Sequence, residues 1–341
     1  MPWRSVGPIV PPLPAAHFGL ALLLALHPAF IPRIAGRKPS TLAAARKLGI
    51  IGLQLVSHEK RAAMIPFARM HGSGNDFVVV DDRAGKLRRH REALAQALCD
   101  RRRGLGGDGL VLLSSGTDGH VVMSYINADG MDGEMCGNGA GCAVRRAWEL
   151  GFFKGSETVL DTDAGAIGAA LDGFRVTMRM TDPQDERLHL SIPTSEGTLT
   201  GHYIDTGVPH VVLFVDDVAQ VNLAELGPEI RRHPLFPRGC NVNWASANGE
   251  SSFRMRTYER GVEAETLSCG TGATAIALVA YRLGLAKPPV KIRASGGGTL
   301  SIEFDETPAA PLRNVRTTVE VERIAEGTLD QDWLARRGFQ F

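Results

Sequence analysis

Residues 136–152 read CGNGAGCAVRRAWELGF, and residues 269–285 read CGTGATAIALVAYRLGL. At an offset of 133, Cys136, Gly137, Gly139, Ala140, Leu150 and Gly151 recur as Cys269, Gly270, Gly272, Ala273, Leu283 and Gly284. Tyr125 maps to Tyr258 at the same offset. Further upstream the offset becomes 135: DFVVVDD at 76–82 resembles VVLFVDD at 211–217, and Arg103-Gly104 matches Arg238-Gly239. Two copies of well over a hundred residues predict two similar domains related by a pseudo-twofold axis.

Short β-rich runs at 77–80, 110–113, 121–125, 211–215 and 302–304 alternate with turn clusters. Each Cys-Gly-x-Gly opens an Ala-rich stretch of helical length, 140–150 and 273–283. Residues 86–103 predict another helix, with Leu87, Leu94 and Leu98 on one face. The fold class is therefore α/β, of the α+β kind. Each domain is expected to be a largely antiparallel sheet or barrel wrapped around a central helix, with the active site in the cleft between the two. The expected boundaries are 64–182 for the first domain and 183–320 for the second, with residues 321–341 returning to the first. The link is expected near 182–194, where Pro183 and Pro193 bracket a polar stretch.

The chain has 341 residues, 44% hydrophobic and 22% charged, the balance of an ordinary globular protein long enough for two cores. A net charge of +1 excludes a protein-wide basic footprint for nucleic acid. That total hides an asymmetry: residues 1–63 carry eight Lys or Arg against the single acid Glu59. This first segment has no clear periodicity. Its longest apolar run, 18–26, is too short for a bilayer, which needs about twenty residues. No small-residue cleavage site closely follows Leu26, and Pro11-Pro12 interrupts the stretch, which argues against a secretory signal. The segment reads as upstream of a true start at Met64, or as a dispensable extension, with no fold expected of it.

Five cysteines, Cys99, Cys136, Cys142, Cys240 and Cys269, form no C-x-x-C pair. They make neither a disulfide scaffold nor a structural zinc site, and read as free thiols of a reducing compartment such as the cytoplasm. Cys99 lies on the apolar side of its helix and is expected in the core, as are Cys142 and Cys240. Gly104–Gly109 satisfies G-x-G-x-x-G, but a helix precedes it and a strand follows, the reverse of a dinucleotide site, so it reads as a tight turn. Residues 295–298, Ser-Gly-Gly-Gly, read as a hairpin turn.

Cys136 and Cys269 differ from the other thiols because each sits at the entrance to a helix. Exposed N–H groups and the macrodipole there are expected to favour a thiolate, below the free pKa of about 8.5. The same N–H groups make a cradle for a carboxylate. A twofold axis would present the two thiols to opposite faces of one ligand. Inverting a stereocentre that bears a weakly acidic C–H needs that arrangement: one group removes the proton and another delivers one from the far side. Helix N-termini aimed at the substrate carboxylate would stabilise the charge that develops.

Further motifs stand in order along the chain: MHGSGNDF (70–77), NADG (127–130), CGNG (136–139), GVPH (207–210), NVN (241–243), YERG (258–261) and CGTG (269–272). Together they resemble the diaminopimelate epimerase family, from about Met64 to near the C-terminus. The resemblance implies interconversion of LL- and meso-diaminopimelate without pyridoxal phosphate, metal or other cofactor, on the route to lysine and peptidoglycan precursors. It implies Cys136 and Cys269 as the paired acid and base. Gly137, Asn138, Gly270 and Thr271 would bind the reacting carboxylate. Asn75, Asn127, Asn241 and Arg260 would hold the substrate, largely at its distal end, with Arg260 as the fork for a carboxylate and Glu259 suited to an ammonium. His210 and Glu259 would tune the thiols. The implied partner is a small molecule, with neither nucleic acid nor membrane, and the resemblance leaves room for a homodimer.

Four positions depart from the family pattern. Val208 stands where Asn is common, which bears on substrate preference. Gly141 stands where Arg is usual, and Thr318-Val319 where glycine is usual. The rival reading within the same fold is a proline or hydroxyproline racemase or related isomerase, whose substrates give Glu259 and Arg260 no partner. A non-catalytic amino-acid-binding module would need the carboxylate cradle but not both thiols.

Overall fold

A computed structural model describes residues 65–133, 136–306 and 311–341. The readings of residues 1–63, and of a start at Met64, lie outside the described residues.

The first half of the described chain runs β1 (Pro66–Gly72), β2 (Asn75–Asp81), α1 (Arg91–Cys99), β3 (Gly109–Ser115), β4 (Val121–Asn127), α2 (Gly137–Glu149), β5 (Glu157–Thr162), β6 (Gly165–Asp172) and β7 (Arg175–Arg179). The second half runs β8 (Gln184–Thr194), β9 (Gly197–Asp205), β10 (Pro209–Phe214), α3 (Leu223–Arg231), β11 (Asn241–Gly249), β12 (Ser252–Glu259), β13 (Ala264–Thr266), α4 (Gly270–Arg282), β14 (Val290–Arg293), β15 (Thr299–Glu303), β16 (Arg316–Thr328) and α5 (Gln331–Ala335). Strands β1 to β7 pair in sequence order, and β16 closes them into a barrel by pairing with both β7 and β1. All these pairs are antiparallel except β2 with β3 and β4 with β5. The order β9-β10-β11-β12-β14-β15-β16 repeats this pattern, with parallel pairs at β10/β11 and β12/β14. The α+β class and its duplication therefore hold.

Each half wraps a helix. Ala140, Ala143, Val144 and Ala147 of α2 are buried against β1, β2 and β16, and Ile276, Leu278 and Val279 of α4 fill the second core. Each such large side chain contributes about 1.5–3 kcal/mol on burial. The repeated Leu-Gly ends both helices in the same way. Gly151 and Gly284 each adopt φ +72°. The N–H of Phe152 then reaches Ala147 O, and that of Leu285 reaches Ala280 O, at 2.9 and 2.8 Å. These are the six-to-one bonds of a Schellman cap.

Four expectations are corrected. The helix read over 86–103 is only Arg91–Cys99 with a short 3-10 turn before it. Asp82 Oδ1 takes the N–H groups of Lys86 and Leu87, and Asp100 Oδ1 those of Arg102 and Arg103, so side chains compete with helix at both ends. Residues 184–194, read within a linking stretch, form strand β8, which pairs with β9 alone. An edge strand tolerates Pro193 and turns its polar residues outward. Tyr125 and Tyr258 are not structural equivalents: Tyr125 packs on the core around α2, whereas Tyr258 lies on the outer face beneath α3. An odd slip in the offset flips a strand's faces. The runs at 211–215 and 302–304 each end one residue earlier, at Phe214 and Glu303.

The glycine-rich turns take definite places. Residues 104–109 do form a tight turn from α1 into β3, with Gly106 at φ +75°. Residues 295–298 join β14 to β15 and press on the β1–β2 turn. A Cβ on Gly298 would fall 2.1 Å from Ser73 Cα, and one on Gly74 would fall 2.8 Å from Gly296 O. The two halves thus touch backbone to backbone beside Asn75. Gly141 and Val319 lie against each other, since a Cβ on Gly141 would meet Val319 Cγ1 at 2.6 Å. The valine fills the space that a small helical residue leaves.

Candidate active site

Cys136 and Cys269 are the N-cap residues of α2 and α4, with extended backbones at φ −108° and −132°. Their carbonyls accept the N–H of Ala140 and Ala273 at 2.8 and 2.9 Å, which starts each helix. The two helix N-termini converge: a Cβ built on Gly270 would lie 3.9 Å from Gly137 Cα. The N–H groups of both helix N-termini therefore face one small region.

Cys136 is half-buried and Cys269 buried. Burial pushes the Cys136 thiol up to about 11, with the Gly139 and Asn138 N–H groups pulling it down and the Glu259 charge pushing it further up. Burial also pushes the Cys269 thiol up to about 12. Glu259 adds to that rise, while the Thr271 hydroxyl, 3.5 Å from Sγ, and the Gly272 N–H oppose it. This corrects the expectation of lowered thiol pKa values: removal from water and nearby carboxylates, Glu259 for both thiols and Asp108 also for Cys136, outweigh the helix-end N–H groups. Cys99, Cys142 and Cys240 are fully inside the core, as expected.

Asn75 links the loop before β3 to α2. Its Nδ2 donates to Asp108 at 3.1 Å, and its Oδ1 accepts from Asn138 Nδ2 at 2.7 Å. Asp108 also accepts from Arg101 at 2.8 Å, so the support for Asn75 is itself charge-paired. Asn127 ends β4 opposite Gly109. On the second side, buried Asn241 accepts the Arg260 N–H at 2.8 Å and donates to Pro209 O at 3.3 Å. The Arg260 side chain donates to Arg238 O at 3.3 Å. Glu259 closes β12, near enough to both thiols and to Tyr125 to raise all three.

His210 is fully buried, and burial with the Arg260 charge lowers it to about 3, so it stays neutral. Asn243 Nδ2 donates to Val211 O at 3.0 Å and lies 3.1 Å from His210 Nδ1. Nδ1 is therefore the acceptor and the ring proton sits on Nε2, which has no partner among the described residues. Asn138 Oδ1 is likewise buried without one. Val208 is partly buried, and its carbonyl accepts the Thr206 N–H at 3.1 Å.

Sequence reasoning did not single out Asn243, Asp108 or the 295–298 turn as parts of this site. Asn243 was legible: it shares a strand face with Asn241, two residues away. Asp108 was hidden inside the G-x-G-x-x-G turn.

The family model described as diaminopimelate epimerase matches residues 67–184 and 202–317. A diaminopimelate epimerase from Aquifex aeolicus (strain VF5) is 41% identical over 282 residues, covering 79% of this chain and 99% of that protein. Among solved structures, a Bacillus anthracis phenazine biosynthesis protein of the PhzF family superposes with a TM-score of 0.61 at 13% identity, covering 78% of this chain and 99% of that one. A hydroxyproline epimerase from Agrobacterium vitis, with bound trans-4-hydroxy-L-proline, gives 0.58 at 20% identity, covering 78% and 91%. The duplicated α+β fold is thus shared with those proteins, and this chain is an isomerase of the epimerase type. It belongs to the diaminopimelate epimerase family.

Proposed function

We propose that the chain interconverts LL- and meso-2,6-diaminopimelate by a two-base mechanism, in the synthesis of lysine and peptidoglycan precursors. The observation that carries this reading is the head-to-head meeting of α2 and α4 with a cysteine at each N-cap. One cysteine, as thiolate, removes the α-proton, and the pair of electrons moves toward the carboxylate. The other thiol then delivers its proton to the opposite face, leaving the thiolate on the second sulfur. The roles swap with direction, and both proton transfers come from the chain itself. The N–H groups at Gly137, Asn138, Gly270 and Thr271 receive the carboxylate and hold its growing charge. Neutral His210, oriented by Asn243, offers Nε2–H into the site, while Glu259 sets the charge balance of the thiols and suits an ammonium.

The distal end of the substrate separates this reading from a proline-type racemase. Asn75, Asn127, Asn241 and Arg260 would hold it, with Arg260 forking a second carboxylate. Protein in D2O should incorporate deuterium at the α-carbon of diaminopimelate and not of proline. Incorporation into proline alone would transfer the chain to the rival reading. Arg260→Ala should cost about 2–4 kcal/mol in kcat/KM, roughly 30- to 1000-fold, by leaving a carboxylate unpaired in a closed site. A kcat/KM on diaminopimelate near wild type would overturn the proposed orientation.

The raised thiols fix the sign of the pH dependence. The base must be a thiolate, and both thiols titrate above neutrality as a coupled pair. The competent fraction of free enzyme therefore grows with pH, and kcat/KM should climb between pH 7 and 9, approaching tenfold per unit. A profile already flat across that range would mean that one thiol is ionised at neutral pH.

A further inference from the structure

A cavity of about 710 Å³ opens on the outer face of the second half, and its lining includes neither thiol. It lies where β12 and β14 run parallel, with Arg254 opposite Arg293 and Phe253 opposite Ile292. Phe253 and Ile292 are buried in the core around α4. Strand alternation therefore turns both arginines to the other face, where both are exposed. Neighbouring strands lie about 5 Å apart, so two guanidinium groups rise side by side from one place.

Neither arginine has a carboxylate partner among the described residues. The one acid in the lining, Glu265, is already engaged. Arg256 donates to both its oxygens at 2.8 and 2.7 Å, and Ser295 Oγ donates to it at 3.3 Å. That fork cancels the charge of Glu265 and leaves Arg254 and Arg293 as two uncompensated cations. Like charges directly opposite on paired strands are destabilising. A bridging anion would relieve the repulsion.

We propose that this cavity binds a phosphate group, as inorganic phosphate or as a phosphomonoester, between Arg254 and Arg293. Guanidinium forks match phosphate oxygens in pairs, and one compact dianion balances both charges at a single point. A longer dicarboxylate would spread its charges beyond the pair. The cavity is far larger than phosphate itself, which leaves space for the organic part of an ester. The 295–298 turn borders the cavity and also touches the β1–β2 turn, so the site adjoins the contact between the two halves.

Calorimetric titration at constant ionic strength, with inorganic phosphate and with glycerol 3-phosphate, tests the assignment. Wild-type protein should bind one equivalent per chain, and the tighter of the two ligands identifies the source. Arg254→Gln and Arg293→Gln should each weaken binding at least tenfold while keeping epimerase activity. Arg260→Ala, altered in the catalytic cleft, should bind phosphate as wild type does. Absence of saturable binding would overturn the proposal, as would binding undiminished in both glutamine variants. So would loss in Arg260→Ala alone, which would place phosphate in the catalytic cleft, or tighter binding of malonate than of either phosphate.

Discussion

Alanine at Cys136 or at Cys269 should abolish epimerisation and leave substrate binding in place, the largest effect expected of any single substitution. Inversion needs a proton donor on each face of the α-carbon, and neither helix offers a second group of that kind at its N-cap. Binding should survive because the N–H groups of both helices and Arg260, the proposed holders of the two carboxylates, remain. Serine is the more informative replacement. A hydroxyl keeps a proton relay but is a far weaker acid than a thiol, so Cys136→Ser and Cys269→Ser should both be severely slowed. Residual exchange of the α-hydrogen with solvent should then depend on which stereoisomer is supplied, because each isomer offers that hydrogen to only one sulfur position. Rates of epimerisation and of deuterium exchange, measured for each isomer, check this. If either alanine variant epimerised near the wild-type rate, the two-thiol assignment would fall, and His210 would be the next acid to consider.

What the sequence disclosed about this site followed how local the governing chemistry is. Cys-Gly-x-Gly and the closing Leu-Gly are read within one helix, and both helices start and stop where those residues stand. The thiol pKa values were read in the wrong direction from the same residues. A helix N-terminus acts over one turn, whereas burial and the charge of Glu259 come from the other strands and helix packed around it. Strand β8 is hidden by Pro183 just before it, Pro193 within it and its polar outer face, which mean nothing until the strand is known to be an edge. Gly141 and Val319 read as two unrelated positions, because their contact exists only where α2 lies on β16. Asn243 was within reach, since period-two alternation puts it beside Asn241.

The 295–298 turn shows the cost of reading glycines as mere hairpin. Gly298→Ala should keep both thiols, both helices and the Arg260 fork, yet lower kcat/KM by about a hundredfold. The added carbon would fall 2.1 Å from Ser73 Cα and 2.5 Å from Ser73 C, and backbone on both sides gives no flexible side chain to move aside. The two turns must separate, which shifts the β1–β2 turn and with it Asn75, whose Oδ1 accepts from Asn138 at the entrance to α2. Displacement of about 1 Å at a reacting centre costs on the order of a hundredfold, because the thiols must address one carbon from opposite sides. Overpacking of this kind also costs about 1–3 kcal/mol of stability. A thermal melt measured beside kcat/KM separates the two effects. Activity per folded molecule should fall well below wild type at temperatures where the variant is fully folded. A folded variant with wild-type kcat/KM would show that the contact between the turns does not set the spacing of the thiols.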